Sequence, residues 1–285
     1  MSSNNRFLIA SLRLLPKNLY SRFIGFLAHL PLPRFARNLL IGTYARHFGC
    51  PVEDAERPML EYGSLADFFT RHLKDGLRPV DPTPGIVTSP SDGRVLACGT
   101  IQAGRALQAK GRDYGVDELL GGHPWAERFE GGSFATVYLS PRDYHRVHTP
   151  ATGRILGYVH VPGTLWPVND AGVSHVDRLF CRNERLVTLL ETDDLGPMAV
   201  IMIGATVVGR ISVRYDDIVT NRIGRRASRR SYEPSKPIKR GDELGTFHMG
   251  SCVVLLVGRG GLGSALETGS AIKMGEPLLV AATET

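Results

Sequence analysis

The chain has 285 residues, is 42% hydrophobic and carries a formal charge of +6. It can bury one sizeable core with or without a small appendage, and it has no low-complexity run and no fixed repeat period. The charge excludes a global nucleic-acid footprint, because seven of the 34 Lys and Arg fall within residues 1–50, where there is no Asp or Glu, leaving 27 basic against 28 acidic residues for the rest.

Those first fifty residues are read as a basic annex of amphipathic helices. Leu8, Leu12, Leu15 and Leu19 follow one helical stripe, which Pro16 ends or kinks. Phe23, Phe26, Leu27 and Leu30 follow a second, closed by Pro31 and Pro33; Leu40, Tyr44 and Phe48 follow a third that ends at Gly49. The longest uncharged stretch, Phe23–Pro33, is too short to span a bilayer, which takes roughly 20 apolar residues. Arg13 interrupts the apolar run after Arg6 and no small-residue cleavage site follows, so a signal peptide is not expected. Two readings remain open: helices packed on the protein's own core, or helices lying in a membrane surface with their cations on anionic lipid. The absence of acid favours the second.

From about Gly85 the pattern changes to strands. Ser133–Leu139, Arg154–Val161, Leu186–Leu190, Met198–Val208, Arg210–Tyr215, Cys252–Val257 and Pro277–Ala282 are apolar segments cut by glycine and proline. Asp92-Gly93 and Thr152-Gly153 read as turns, Asp67–Leu73 and Val116–Leu120 as short helices. Asn221–Arg240 holds eight Lys or Arg against Glu233 alone, with Pro234 and Pro237, and reads as a solvated mobile loop. The fold class predicted is α+β: a mostly antiparallel β body, residues 51–285, behind an amphipathic α-helical annex, residues 1–50.

Cys50, Cys98, Cys181 and Cys252 form no C-x-x-C pair, so neither a zinc nor a redox motif is suggested, and scattered single cysteines fit a reducing compartment. Four stretches carry candidate chemistry: Ser89-Pro90-Ser91-Asp92-Gly93, Tyr138–His148, Gly204–Gly209 and Phe247-His248-Met249-Gly250-Ser251. Each alone reads as a turn or a strand end. His145 and His148 lie three apart, but no carboxylate or cysteine set accompanies them, so no metal is predicted. Together the stretches hold a serine, histidines able to take its proton, and an aspartate able to orient a histidine.

In this order the four stretches resemble the bacterial type I phosphatidylserine decarboxylases, from roughly Arg34 to Glu284, with Gln108-Ala109-Lys110-Gly111, Asn183-Glu184-Arg185 and Gly196-Pro197-Met198-Ala199 as further landmarks. The family's usual Leu-Gly-Ser-Thr reads Met249-Gly250-Ser251-Cys252 here, so the Gly-Ser pair is kept and both flanks differ. The resemblance implies a proenzyme that cuts itself between Gly250 and Ser251 into chains 1–250 and 251–285, which stay associated. Asp92 and His148 would activate Ser251, which becomes a covalent pyruvoyl cofactor. That group would form a Schiff base with phosphatidylserine and accept electrons as carbon dioxide leaves. His145 is the implied proton donor, a task His148 could share. The implied setting is peripheral, on the cytoplasmic face of the cell membrane, with the bilayer's anionic surface as partner. Pairing of two heterodimers is left open. Three rivals stand beside this reading: a pyruvoyl enzyme for a soluble amino acid, an HxxH metal hydrolase, and a biotinyl- or lipoyl-like carrier suggested by Ala271-Ile272-Lys273-Met274.

Overall fold

The computed structural model describes residues 16–109, 112–207, 210–224, 226–248 and 251–282. The first helical stripe lies outside them except for Leu19. Helix α1 (Lys17–His29) starts after Pro16, and α2 (Arg34–Phe48) ends at Gly49. Helix α3 (Leu65–Phe69) is shorter than the predicted Asp67–Leu73 and starts two residues earlier, because Ser64 caps it by accepting from the Asp67 amide. The strands then follow: β1 (Val87–Thr88), β2 (Gly93–Thr100), β3 (Arg105–Ala109) and β4 (Arg112–Gly115). After α4 (Val116–Leu119) come β5 (Ser133–Tyr138), β6 (Arg146–His148) and β7 (Gly153–Val161). Two short helices, α5 (Asp170–His175) and α6 (Leu179–Arg182), precede β8 (Arg185–Thr192), β9 (Gly196–Ile203) and β10 (Ile211–Val213). The chain ends with β11 (Ser228–Ile238), β12 (Glu243–Phe247), β13 (Cys252–Val257), β14 (Leu262–Ser264), β15 (Ala271–Ile272) and β16 (Pro277–Ala281).

The body is an antiparallel sheet of order β11-β7-β8-β9-β13-β5-β2-β15, accompanied by smaller sheets β10-β12-β6 and β1-β16-β14. Strand β13 pairs with β9 on one side and β5 on the other over its whole length. All six of its residues are buried, because both sheet faces are covered: Cys252, Val254 and Leu256 enter one core cluster, Val253, Leu255 and Val257 the other. That explains why the sequence there is continuously apolar rather than alternating.

The basic stretch read as a loop is largely a strand. Ser228–Ile238 pairs with β7 at the edge of the main sheet, with a register shift between Ser231 and Lys236. An edge position accommodates what argued against a strand: proline needs no ladder donor there, and Lys and Arg protect an open edge.

Helix α1 is amphipathic in an inverted sense. Its polar side faces the body: the Asn18 amide donates to the Gly163 carbonyl at 3.0 Å, Ser21 Oγ accepts from the Val207 amide at 2.9 Å, and the Lys17 ammonium lies 3.9 Å over the Trp166 ring. Its apolar stripe faces outward, with Leu19 61%, Phe23 57% and Phe26 64% exposed. On α2, Phe35 and Leu39 are exposed as well. The own-core reading therefore fails for Leu19, Phe23 and Phe26 of α1, whereas Tyr44 of the third stripe does pack against the core. Among the described residues, no helix is long and apolar enough to cross a membrane.

Candidate active site

Ser251 is the residue that leads into β13. The apolar run behind it is clamped between two strands running the other way, so Ser251 meets their ends: its carbonyl accepts from the Leu139 amide at 2.8 Å, just past β5, and its Oγ donates to the carbonyl of Ile203, the last residue of β9. The side chain is fully buried, yet it lines a cavity of about 270 Å³. The cavity walls are mostly apolar: Tyr138 at the end of β5 with Leu139 and Pro141 after it, Pro167 and Val168, Ala205 to Val207, Phe69 from α3, and Tyr44 and Phe48 from α2. Helix α2 is held there by the Tyr44 hydroxyl, which donates to the Pro141 carbonyl at 2.9 Å. Cys252, next in the chain, points into the core; burial pushes its thiol pKa up, so it remains protonated.

Asp92 precedes β2 at a point where the chain must be a glycine: a Cβ on Gly93 would run into the Tyr138 carbonyl. The Asp92 carboxylate is gripped twice by Arg78, Nε to Oδ1 at 2.8 Å and Nη2 to Oδ2 at 2.6 Å, and also accepts from the Met274 amide at 2.9 Å. A bidentate, nearly buried pair of this kind fixes both position and orientation. Lys273, the suspected carrier lysine, lies in the connection between β15 and β16 whose Met274 amide supports Asp92.

His148 ends β6. Its Nδ1 donates to the Gly241 carbonyl at 2.8 Å, which leaves Nε2 as the acceptor from the Tyr144 hydroxyl at 3.0 Å. Gly241 presents that carbonyl from φ +87, a conformation natural only to glycine. Burial lowers the His148 pKa and raises that of Tyr144, so the pair consists of a neutral imidazole and a protonated phenol. The His148 amide donates to Pro90 at 2.7 Å, which joins β6 to the loop carrying Asp92.

His145 is fully buried, with its ring centroid 3.9 Å from that of Phe69, a wall of the Ser251 cavity. Nδ1 donates to the Asp143 carbonyl at 2.8 Å, and Nε2 has no hydrogen-bond partner among the described residues. Burial first, and then the Arg71 guanidinium, push its pKa down to about 3. His145 is thus a neutral imidazole with a bare nitrogen behind the cavity wall.

The structure joins Asp92 to His148 through the Pro90 backbone and sets His145 behind the cavity of Ser251. It does not link Ser251, His148 and Asp92 as a chain of side-chain hydrogen bonds: the serine proton goes to Ile203, the His148 ring to Gly241 and Tyr144, the carboxylate to Arg78. Gly250, the other half of the expected cleavage pair, lies outside the described residues. Sequence reasoning missed Arg78, Tyr144 and the Gly241 carbonyl. Tyr144 stood inside a stretch already singled out, but the other two carried no local signal.

The profile of the family described as phosphatidylserine decarboxylase matches residues 65–280. The phosphatidylserine decarboxylase proenzyme of Anaeromyxobacter sp. (strain K) is 46% identical over 280 residues, covering 96% of this chain and 98% of its own. That of Myxococcus xanthus (strain DK1622) is 45% identical, covering 89% and 90%, and that of Brevibacillus brevis (strain 47 / JCM 6285 / NBRC 100599) 43% identical, covering 93% and 94%.

Proposed function

The chain belongs to the phosphatidylserine decarboxylase family, and on that premise we propose that it is a proenzyme that makes a pyruvoyl group from its own Ser251. The family makes it a carboxy-lyase of phospholipid synthesis, acting on phosphatidylserine. The observation that carries the finer reading is the place of Ser251: buried at the start of the central strand, yet lining an apolar cavity whose outer wall is α2.

Ser251 Oγ attacks the Gly250 carbonyl and an ester replaces the peptide bond. Elimination then frees chain 1–250 with a carboxylate at Gly250 and leaves a dehydroalanine at residue 251, whose imine tautomer takes up one water and releases ammonia to give the pyruvoyl group. His148 is the base, with its hydrogen on Nδ1 held by Gly241 and Nε2 free to take a proton once Tyr144 and the serine shift. Asp92 acts as a positioning residue: Arg78 and Met274 fix it, and its loop holds His148 through Pro90. A cavity with apolar walls suits a reaction that must discharge a carboxylate, since water would stabilise that charge. When formed, the pyruvoyl group supplies a carbonyl for the substrate amine and a sink for the electron pair released with carbon dioxide. His145 Nε2 is the proton relay to the substrate carbon.

The two chains stay together because the small one is woven into the large: β13 lies between β5 and β9, β15 pairs with β2, and β16 with β1. The outward stripe of α1 supports peripheral attachment to the cytoplasmic face of the membrane, with the acyl chains left in the bilayer while the headgroup enters past Tyr44 and Phe48. In the full chain, Ser251→Ala is expected to give one uncleaved polypeptide that releases no carbon dioxide from carboxyl-labelled phosphatidylserine vesicles. A Ser251→Ala protein that still splits after Gly250 would sink the proposal, and turnover of free serine but not of vesicles would redirect it to a soluble substrate.

A further inference from the structure

A second cavity, of about 380 Å³, shares Val207 with the Ser251 cavity but is built from different groups. Arg22, Phe26 and His29 of α1 form one side, and Arg210, Arg222 and His248 the other. Among the described residues that line it, none is acidic. The cations are close enough to act on one another: besides burial, Arg210 and His29 push the His248 pKa down to about 4. Gathering like charges in a cavity is unfavourable unless an anion is shared between them.

The wall is built in advance. Glu184, nearly fully buried, accepts from His160 Nε2 and from the Asn221 amide, both at 2.8 Å. That holds Asn221 in a left-handed conformation, φ +54, from which its backbone oxygen and Oδ1 accept from Arg22 Nε at 2.9 and 3.1 Å. Arg22 is therefore aimed by a buried carboxylate two contacts away. Around the cavity the surface turns apolar: Phe23 and Phe26 project outward and Ile223 is 85% exposed. A cavity lined by cations, of which Arg22 is held in place while Arg210 and Arg222 reach the surface, with exposed apolar side chains at the rim, matches a molecule that carries a phosphate on one end and hydrocarbon on the other.

We infer that this cavity is an anionic-phospholipid site separate from the cavity of Ser251, in which Arg22, Arg210 and Arg222 take the lipid phosphate while Phe23, Phe26 and Ile223 meet its acyl region. The assignment rests on the membrane attachment proposed above and not on the chemistry at Ser251. It turns a general attraction of a basic annex to a charged surface into a defined contact, one that anchors α1 to the loop at Asn221.

The test is binding of the full chain to vesicles of phosphatidylcholine containing phosphatidylglycerol, an anionic lipid without the amine or carboxylate that the reaction needs. The double variant Arg210→Gln/Arg222→Gln is compared with Arg105→Gln/Arg259→Gln, which removes the same charge from residues that line neither cavity. All four side chains are on the surface, and matching thermal midpoints check that both variants fold. The first is expected to lose about tenfold or more in vesicle affinity and the second less than about twofold. Equal losses would mean diffuse charge and would overturn the site, as would no loss in either. Inorganic phosphate alone at low millimolar concentration is expected to leave the His248 and Arg222 resonances of the full chain unmoved; saturation by it would identify a soluble-anion site and overturn the lipid assignment. Cleavage after Gly250 is read by gel on the same samples, so an uncleaved parent chain counts against the reading of Ser251 and not against this site.

Discussion

Strand β13 and helix α1 both carry many apolar side chains and use them in opposite ways. In β13 every side chain is buried, and the strand is held on both edges and both faces. In α1 the buried positions are Lys17, Ser21 and Ala28, while Leu19, Phe23 and Phe26 face outward. Hydrophobicity alone therefore does not say where a residue goes. The strand's apolar residues find partners within the protein; the helix spends its polar groups on the protein and reserves its apolar face for something else. The two do not share the Ser251 cavity: the residue before the strand lines it and α2 forms its outer wall, while α1 lines the neighbouring cavity that shares Val207.

Substitutions can break or sharpen that contrast. The largest effect on stability is expected within the body, at Arg78→Ala, which strands the Asp92 carboxylate in a nearly buried position. The expected loss is about 3–5 kcal/mol, read by urea unfolding, together with slower cleavage after Gly250. Leu255→Ala, fully buried in β13, is expected to cost about 2–5 kcal/mol. Phe26→Ala on α1 is expected to change stability by less than about 0.5 kcal/mol while weakening vesicle binding roughly tenfold, from the loss of one inserted aromatic side chain. A Phe26→Ala protein as destabilised as Leu255→Ala would place that ring in the protein's own core and erase the contrast.

Acid provides a finer probe of the body. The folded pKa of His145, about 3, lies below that of the unfolded chain, near 6.5. Above pH 6.5 both states hold the imidazole neutral and stability is complete; as pH falls through 6.5 the unfolded chain binds the proton first, so stability declines until about pH 3. At about pH 5 the loss from this group is on the order of 2 kcal/mol. His145→Gln is expected to reduce the slope of stability against pH between about 6.5 and 4 by one proton's worth. An unchanged slope would show that His145 titrates normally in the fold.

Much of the body was legible in the chain. Cys252–Val257 forms the strand its apolar run predicts, with the same bounds. Strand β2 was not legible, because Arg94, Gly99 and Thr100 interrupt its apolar pattern, and pairing with β5 and β15 makes it a strand. The basic stretch before Arg240 misled because an edge strand tolerates the prolines and charges that mark a loop. Ser251, Asp92, His145 and His148 stood out only as a family constellation, while the groups that hold them are distant in sequence or belong to the backbone: Arg78 on Asp92, Gly241 on His148, Ile203 on Ser251. No local pattern encodes a carbonyl's direction. The outward face of α1 was half legible, since the periodicity gave the stripe but not which way it turned.

The central claim is that Ser251 becomes the prosthetic group, and the intact mass of the purified full-length protein tests it most directly. Two chains are predicted, one ending at Gly250 and one spanning 251–285, the smaller lighter than its encoded mass by one ammonia. A single chain of full encoded mass in a sample that decarboxylates phosphatidylserine would contradict the account.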